Sequence, residues 1–425
     1  MAIDASGRPG ELHPEARPAG YQIALTALLS LNFGLVLFDR NALSFLMPFV
    51  QPELGLDNTQ VGMLAGALSL TWAVAALGIG ALADRYASRK RLLILSTLAF
   101  SACSFGSGLA TSFMLLLASR LLMGLAEGGI MPISQALIAS EVSPRHRGAA
   151  MGVTQGFGSS LMGSFVAPVV LVAIATSLGW RHAFFLAGAP GLLIALVLAW
   201  IIRPATQEPM SSSKAHAPGV LQVLGEPNVL RCVVLGVLLV SYLVVCWAFM
   251  PLYLTKARGY DPHSMSWLMG TLGISATLAS TLVPALSDRI GRRPLLIVSA
   301  LLGTTLPLAA LFFRGSVWAL GALFFLGWSI TGAFPLFMAT VPSESVASGR
   351  IPVALGLCMG ISEILGGVLS PILAGMAADR YGLAAPVYLL LILAALSVCI
   401  ALDIRETAPR LQGSAGDQRA QTGLR

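Results

Sequence analysis

The chain has 425 residues, 56% hydrophobic and 11% charged, with a formal net charge of +7 and a mean hydropathy of +0.81. An average soluble domain carries roughly 25% charged residues, so this composition excludes a water-soluble globular protein and predicts an all-α, multi-pass membrane protein. The basic residues gather in short segments between apolar runs, which is how topology signals look and not how a nucleic-acid face looks.

Residues 1–20 are polar and read as a disordered tail. The first apolar run that follows is too long for the core of a cleaved signal peptide, so it is expected to act as an uncleaved membrane-entry signal. A spanning helix needs about 20 mostly apolar residues. Twelve such runs are placed at 22–49, 59–83, 92–111, 113–139, 149–176, 182–202, 229–255, 263–286, 295–313, 317–341, 353–378 and 385–403. The longest polar interior stretch, 204–228, is a central linker that splits the chain into bundles of six helices, 21–203 and 229–403. The polar remainder, 404–425, is expected to be a disordered tail.

Loops on one side carry Arg85, Arg89, Lys90, Arg91, Arg145, Arg147, Arg203, Lys214, Arg289, Arg292, Arg293 and Arg350. Loops on the other side carry Arg181, Lys256, Arg258, Arg314 and Arg380. The richer side should be cytoplasmic, with both termini there, in a bacterial inner membrane.

The halves repeat. The stretch Gly80–Leu93 (GALADRYASRKRLL) recurs as Pro284–Leu296 (PALSDRIGRRPLL), which places Asp84 and Asp288 204 positions apart. The same offset links Arg85 with Arg289, Gly128 with Gly332, Gly152 with Gly356, Gly156 with Gly360 and Gly163 with Gly367. One offset across several helices argues for duplication. Two parallel repeats suggest a transporter whose substrate site lies between them near the bilayer midplane. The paired glycines at 152/156 and 356/360 look like helix-packing surfaces.

On these motifs the chain resembles the major facilitator superfamily over nearly all of residues 20–405. The first copy of the loop motif has Ala87 where a Gly is usual, and the second has Pro284 at the first Gly position. Finer features resemble the anion:cation symporter branch. These are FDRNALSFLMP in the first helix, RLLMGLAEGGIMP in the fourth with SPRHRGAAMG after it, GWRHAF opening the sixth and PLYLTKARGY closing the seventh. The resemblance implies two six-helix bundles, cargo such as sugar acids or aromatic acids moved with protons, and a monomer. It further implies that an Asp-Arg pair of the first helix and a Glu of the fourth act together, which falls on Asp39, Arg40 and Glu127.

The residues themselves point the same way. Asp39, Arg40, Arg120, Glu127 and Glu363 are charged positions inside apolar runs, and such residues are functional by default. Arg120 and Glu127 are seven positions apart, about two helical turns, so they share a face. A guanidinium holds a carboxylate bidentately, and a desolvated carboxyl can take up and release a proton. An internal salt bridge that only locks helices is the structural alternative. Arg40 is expected to reach the cavity and anchor the anion. Asp39, on a different face, would turn toward the fourth helix as a second proton site, or serve as a structural partner of an arginine. Glu363 could carry a further proton, polarise a substrate hydroxyl, or hydrogen-bond a helix backbone.

Gln155, Tyr242 and Trp247 complete the expected substrate-binding set, alongside Trp72 and Tyr253 as weaker candidates. The seventh helix, with Pro251, is the expected gate. Gly80, Asp84, Arg85 and Arg89, with Asp288, Arg289 and Arg292, read as cytoplasmic gate and stability residues. The five cysteines, Cys103, Cys232, Cys246, Cys358 and Cys399, read as small buried hydrophobes. No phosphate loop, HExxH, CxxC or GxSxG occurs, so neither an enzyme nor a cofactor or metal is expected. The reading is proton-coupled symport of a small organic carboxylate. A drug/proton antiporter and a non-transporting sensor are the alternatives. A Gly-Pro element expected of antiporters in the fifth helix is replaced by GVTQGFGSSLMGSFVAP.

Overall fold

A computed structural model describes residues 18–85, 89–202, 220–408 and 410; the side chains at 76–85, 144, 155–159 and 221 fall outside the described set. Among the described residues twelve long helices run in sequence. They are α1 (Ala19–Leu54), α2 (Asn58–Arg85), α3 (Arg89–Gly108), α4 (Phe113–Glu141), α5 (144–178), α6 (Trp180–Ile201), α7 (Pro227–Ala257), α8 (Pro262–Ile290), α9 (Arg292–Phe312), α10 (Val317–Ser345), α11 (Ser348–Tyr381) and α12 (Ala384–Asp403). Eleven of them are long and apolar enough to cross a membrane by the described residues; α2, at 28 residues, is the twelfth. A helical turn at Val220–Leu224 precedes α7. The expected linker 204–228 lies mostly outside the described residues, as does the tail 1–17.

Helix ends follow local chemistry. Ser112 and Ser316 accept from the backbone N–H of Leu115 and Ala319, each at 3.3 Å, and so cap α4 and α10. Asp261 caps α8 by accepting from the Ser264 N–H at 3.0 Å, and Pro262 follows at a position that needs no donor. Gly55 ends α1 at φ 62°, and Gly179 turns the chain from α5 into α6 at φ 90°; both are left-handed positions that favour glycine.

Several helices are not regular. α4 unwinds at Gly128–Gly129, directly after Glu127. Two adjacent glycines weaken the helix there, and Pro132 supplies no N–H to the Gly128 carbonyl. Wider turns with i→i+5 bonding fall at 153–166 of α5, 253–257 of α7, 336–340 of α10 and 362–369 of α11, the last of which contains Glu363. Such turns concentrate at functional positions.

The bundles meet most closely at the end of the molecule away from the termini, here called the far end. α2 carries Gly62 and Gly66, four apart. A methyl at either would run into the backbone of α11, at Pro371 and Val368. Gly375 of α11 packs against the backbone of Asn58 and Thr59 in the same way. Small residues let two helices approach this closely. Asp379 of α11 then caps α2 across the interface. Its carboxylate accepts from the Asn58 N–H and side-chain amide, both at 2.9 Å, and from the Thr59 N–H and hydroxyl at 2.9 and 2.6 Å. Lys256 of α7 donates to Gln51 of α1 at 2.7 Å.

Two expectations change. Gly152, Gly356 and Gly360 are not packing surfaces, since a methyl there would meet nothing within 4 Å. They lie on the terminus-side halves of α5 and α11, at positions that face open space while other residues of the same turns, such as Ala354 and Cys358, are buried. The tail after residue 403 is not disordered from its start. Ile404, Thr407 and Ala408 are buried. Glu406 accepts from the Arg292 and Arg293 N–H groups at 2.8 and 3.0 Å, capping α9, and the Thr407 hydroxyl donates to Glu344 at 2.6 Å. A carboxylate at a helix N-terminus satisfies donors that the helix itself leaves open, and composition alone gives no sign of that partner.

Candidate functional site

The α1 pair separates as its helical geometry requires. Asp39 is fully buried and turns into the first bundle. It accepts from the Ser104 hydroxyl of α3 at 2.6 Å and sits within electrostatic reach of Arg120 on α4. Arg40, about 100° round the helix, goes to the cavity side. Its guanidinium lies over the Trp72 ring of α2 at 5.2 Å and 3.8 Å from Glu127 of α4, with side-chain exposures of 21% and 0%. At that distance the pair is a charge contact and not a hydrogen bond, and both Glu127 oxygens are buried without a hydrogen-bond partner among the described residues.

Arg120 is 1% exposed. It donates to the Ser107 hydroxyl of α3 at 2.5 Å and lies over the Phe184 ring of α6 at 5.6 Å. Its Nε and one terminal nitrogen have no acceptor among the described residues. One turn on, Gly124 lets α4 approach α2 closely, because a Cβ there would strike the backbone of Leu68 and Trp72.

α3 supplies the supporting layer. Thr97, Ser101, Ser104 and Ser107 are all fully buried and three or four apart, so they form one polar stripe. Gly188 and Gly191 of α6 pack against Ser101 and Ser104. This stripe is not among the residues expected from the sequence. The one sign of it in the sequence is that four of the five hydroxyl residues of α3 recur at three- or four-residue spacing.

Between the bundles is a cavity with about 630 Å³ of empty space, part of it open to solvent. Arg40 and Arg120 stand on its first-bundle wall, and Trp247 of α7 on the opposite wall. Glu363 of α11 approaches Arg40 closely enough to interact electrostatically. The structure therefore gathers Asp39, Arg40, Arg120, Glu127, Glu363 and Trp247. The side chain of Gln155 lies outside the described set.

Tyr242 does not join them. It is 1% exposed and not on the cavity wall; its hydroxyl donates to the Gly303 carbonyl at 2.8 Å, tying α7 to α9. Tyr253 likewise donates to Ala310 at 3.2 Å. The seventh helix is apolar all round, so no periodicity told which face Tyr242 occupies.

Of the loop-motif residues, Gly80, Asp84 and Arg85 have side chains outside the described set. In the second copy Arg292 holds Asp288 at 2.5 Å and Glu344 of α10 at 2.9 Å, so this cluster ties helices within one bundle. Arg289 is exposed and Arg89 is half-buried. Two further motifs are clamps at the far end. Arg181 and Trp180 of α6 both bind Glu53 of α1, Trp180 at 2.5 Å. Arg258 donates to the Ala310 carbonyl and, at 2.6 Å, to that of Phe313.

The sequence profile described as Major Facilitator Superfamily matches residues 29–343 and 233–424. The "Probable 4-methylmuconolactone transporter" of Cupriavidus pinatubonensis is 28% identical over 345 residues, 78% of this chain and 80% of that protein. The 3-(3-hydroxy-phenyl)propionate transporter of Escherichia coli is 29% identical over 368 residues, 83% and 85% of the two chains. Multidrug resistance protein MdtG of Enterobacter lignolyticus is 28% identical over 399 residues, 90% and 93%. Among solved structures, a bacterial homologue of the human lysosomal transporter Spinster, inward-facing and unoccupied, superposes with a TM-score of 0.73 at 18% identity, covering 90% of this chain and 98% of that one.

Proposed function

Because this chain belongs to the Major Facilitator Superfamily, we propose that it carries a small organic carboxylate across a membrane together with protons, by alternating access of the cavity between its two bundles. The observation that carries the reading is the sign of the charge facing the cavity. The charged residues on the described wall are Arg40 and Arg120, and neither Asp39 nor Glu127, both buried, lines it.

Arg120 has donors without acceptors, so it can take a carboxylate without first breaking a hydrogen bond to another residue. Arg40 must loosen from Glu127 to do the same. When the anion pairs with Arg40, Glu127 loses its partner and is left as a buried negative charge. Taking up a proton removes that charge. Anion binding and proton binding therefore favour each other, which is the coupling a symporter needs. Asp39, held by Ser104 near Arg120, is a second place for a proton. Glu363 is a third, on the opposite bundle.

The relatives include carriers of organic acids by name, which supports this substrate class. They include MdtG too, which favours a drug/proton antiporter as the second reading. Against it, a cationic wall repels the hydrophobic cations that such antiporters would take. On this reading the two domains are 21–203 and 229–403, and the excess of basic residues in the loops of one side supports cytoplasmic termini in a bacterial cell.

The test is transport by the purified protein in proteoliposomes. With an imposed pH gradient, external organic anions should drive proton entry and accumulate. Glu127→Gln should lose gradient-driven accumulation and keep substrate exchange; accumulation equal to wild type would remove Glu127 from the coupling. Proton flux driven by hydrophobic cations and not by anions would establish the antiporter instead.

A further inference from the structure

Resting on the carboxylate reading above, we propose that the cargo is an acid with a compact, apolar and planar body, such as an arene or unsaturated ring, and that Trp247 selects it. The two walls of the cavity differ in kind. The first-bundle wall offers cations. The α7 wall consists of Leu243, Val244, Trp247 and Ala248, and α1 and α2 add apolar surface at Met47 and Leu68. A molecule bridging the two must therefore be charged at one end and apolar at the other.

Hydrogen-bonding side chains on the described wall are few besides the arginines: Asn41, Ser44, Ser69 and the indole N–H of Trp247. The amide of Asn41 already donates to the Gly163 carbonyl at 2.9 Å. A polyhydroxylated acid would bring in several hydroxyl groups and find too few partners, and each unmatched buried hydroxyl weakens binding. An apolar ring loses nothing there and buries its faces on α7.

The ring of Trp247 is also held still. It meets Phe45 of α1 edge-on, with centroids 5.5 Å apart at 84°, and Trp328 of α10 at 5.3 Å and 77°. Trp328 in turn rests on Tyr242 at 6.0 Å, the residue whose hydroxyl is tied to Gly303. Tyr242 thus supports the site without entering it. A fixed aromatic plane favours a planar ligand, because little rotational freedom is lost when it binds.

The experiment measures inhibition of 3-phenylpropionate counterflow in proteoliposomes by unlabelled 3-phenylpropionate and by glucuronate, which share one carboxylate and differ in body. The aromatic acid should compete about 100-fold better, the scale on which an apolar pocket rejects added hydroxyls. Trp247→Ala should lower its affinity roughly tenfold and Trp247→Phe should restore most of it, with thermal unfolding midpoints recorded to confirm that both variants fold. Glucuronate binding as tightly as 3-phenylpropionate would overturn the inference and leave the carboxylate reading standing. Failure of both acids to bind, measured by thermal shift and counterflow, would overturn the reading and the inference together.

Discussion

Asp39 and Arg40 are neighbours in the chain, yet they serve different sides of α1. That division makes Ser104 a sensitive position. Its hydroxyl is the hydrogen-bond donor to a fully buried carboxylate, and it also contacts the Phe184 carbonyl at 3.0 Å. Replacing it with Ala leaves Asp39 buried with one partner fewer, a loss of about 2 kcal/mol for a hydrogen bond to a charged group. Ser104→Ala should therefore lower the thermal midpoint of the protein and weaken anion binding; a variant indistinguishable from wild type in both would show that Asp39 does not need this support. Arg120→Ala should abolish anion binding, read by thermal shift with the substrate, since it removes one of the two guanidiniums on that wall and with it two donors that have no acceptor among the described residues. The charged members of the site were legible because a charge in an apolar run stands out on cost alone. Ser104 and Ser107 were not, because serine in a membrane helix commonly bonds back to its own turn, as Ser107 does to the Cys103 carbonyl at 2.9 Å. Only the third dimension shows that these two also reach Asp39 and Arg120.

At the scale of helices, the far end is held by two independent kinds of contact between α2 and α11. One is close backbone packing at Gly62, Gly66 and Gly375; the other is the Asp379 cap on Asn58 and Thr59. Alternating access requires both to separate. Asp379→Ala removes four accepted hydrogen bonds at an exposed site, worth about 1–2 kcal/mol as a helix cap. Gly66→Val places side-chain atoms where the α11 backbone now runs, an overpacking of about 1–3 kcal/mol. The chemistry differs and the direction is the same: both variants should populate the state with the far end parted. Spin labels at Thr176 and His263, exposed positions at the far ends of α5 and α8, should then report a longer distance by electron–electron resonance. An unchanged distance distribution in both variants would mean that other contacts hold this end shut. The twelve apolar runs could be read because lipid demands about 20 such residues in a row. The seam could not, because a glycine with its neighbour and a glycine facing open space look identical in a sequence: Gly66 and Gly356 differ only in what the fold brings beside them.

The whole molecule is a duplicated scaffold with an unduplicated charge pattern. The 204-residue offset pairs loops and glycines of the two halves, but Asp39, Arg40, Arg120 and Glu127 all stand in the first bundle, and Glu363 of the second corresponds to Ser159. One half thus carries the electrostatics, and the other supplies an apolar wall with a single acid. The four charges of α1 and α4 sum to zero when ionised. One anion entering with one proton keeps that sum unchanged, so the loaded and empty carriers cross the barrier between orientations with the same net charge. Such a carrier moves no charge per cycle. A membrane potential, worth about 2.3 kcal/mol per charge per 100 mV, should then have no effect on accumulation, while each unit of imposed pH difference should support about a tenfold concentration ratio. Uptake of an organic monocarboxylate in proteoliposomes clamped with potassium and valinomycin separates the two driving forces. If Glu363 loads a second proton, each cycle carries one positive charge inward. An inside-negative potential then drives uptake, and Glu363→Gln removes that response while leaving the response to pH. Insensitivity to potential in both the native protein and Glu363→Gln assigns Glu363 to binding the substrate or the helix backbone, and leaves coupling to the first bundle alone.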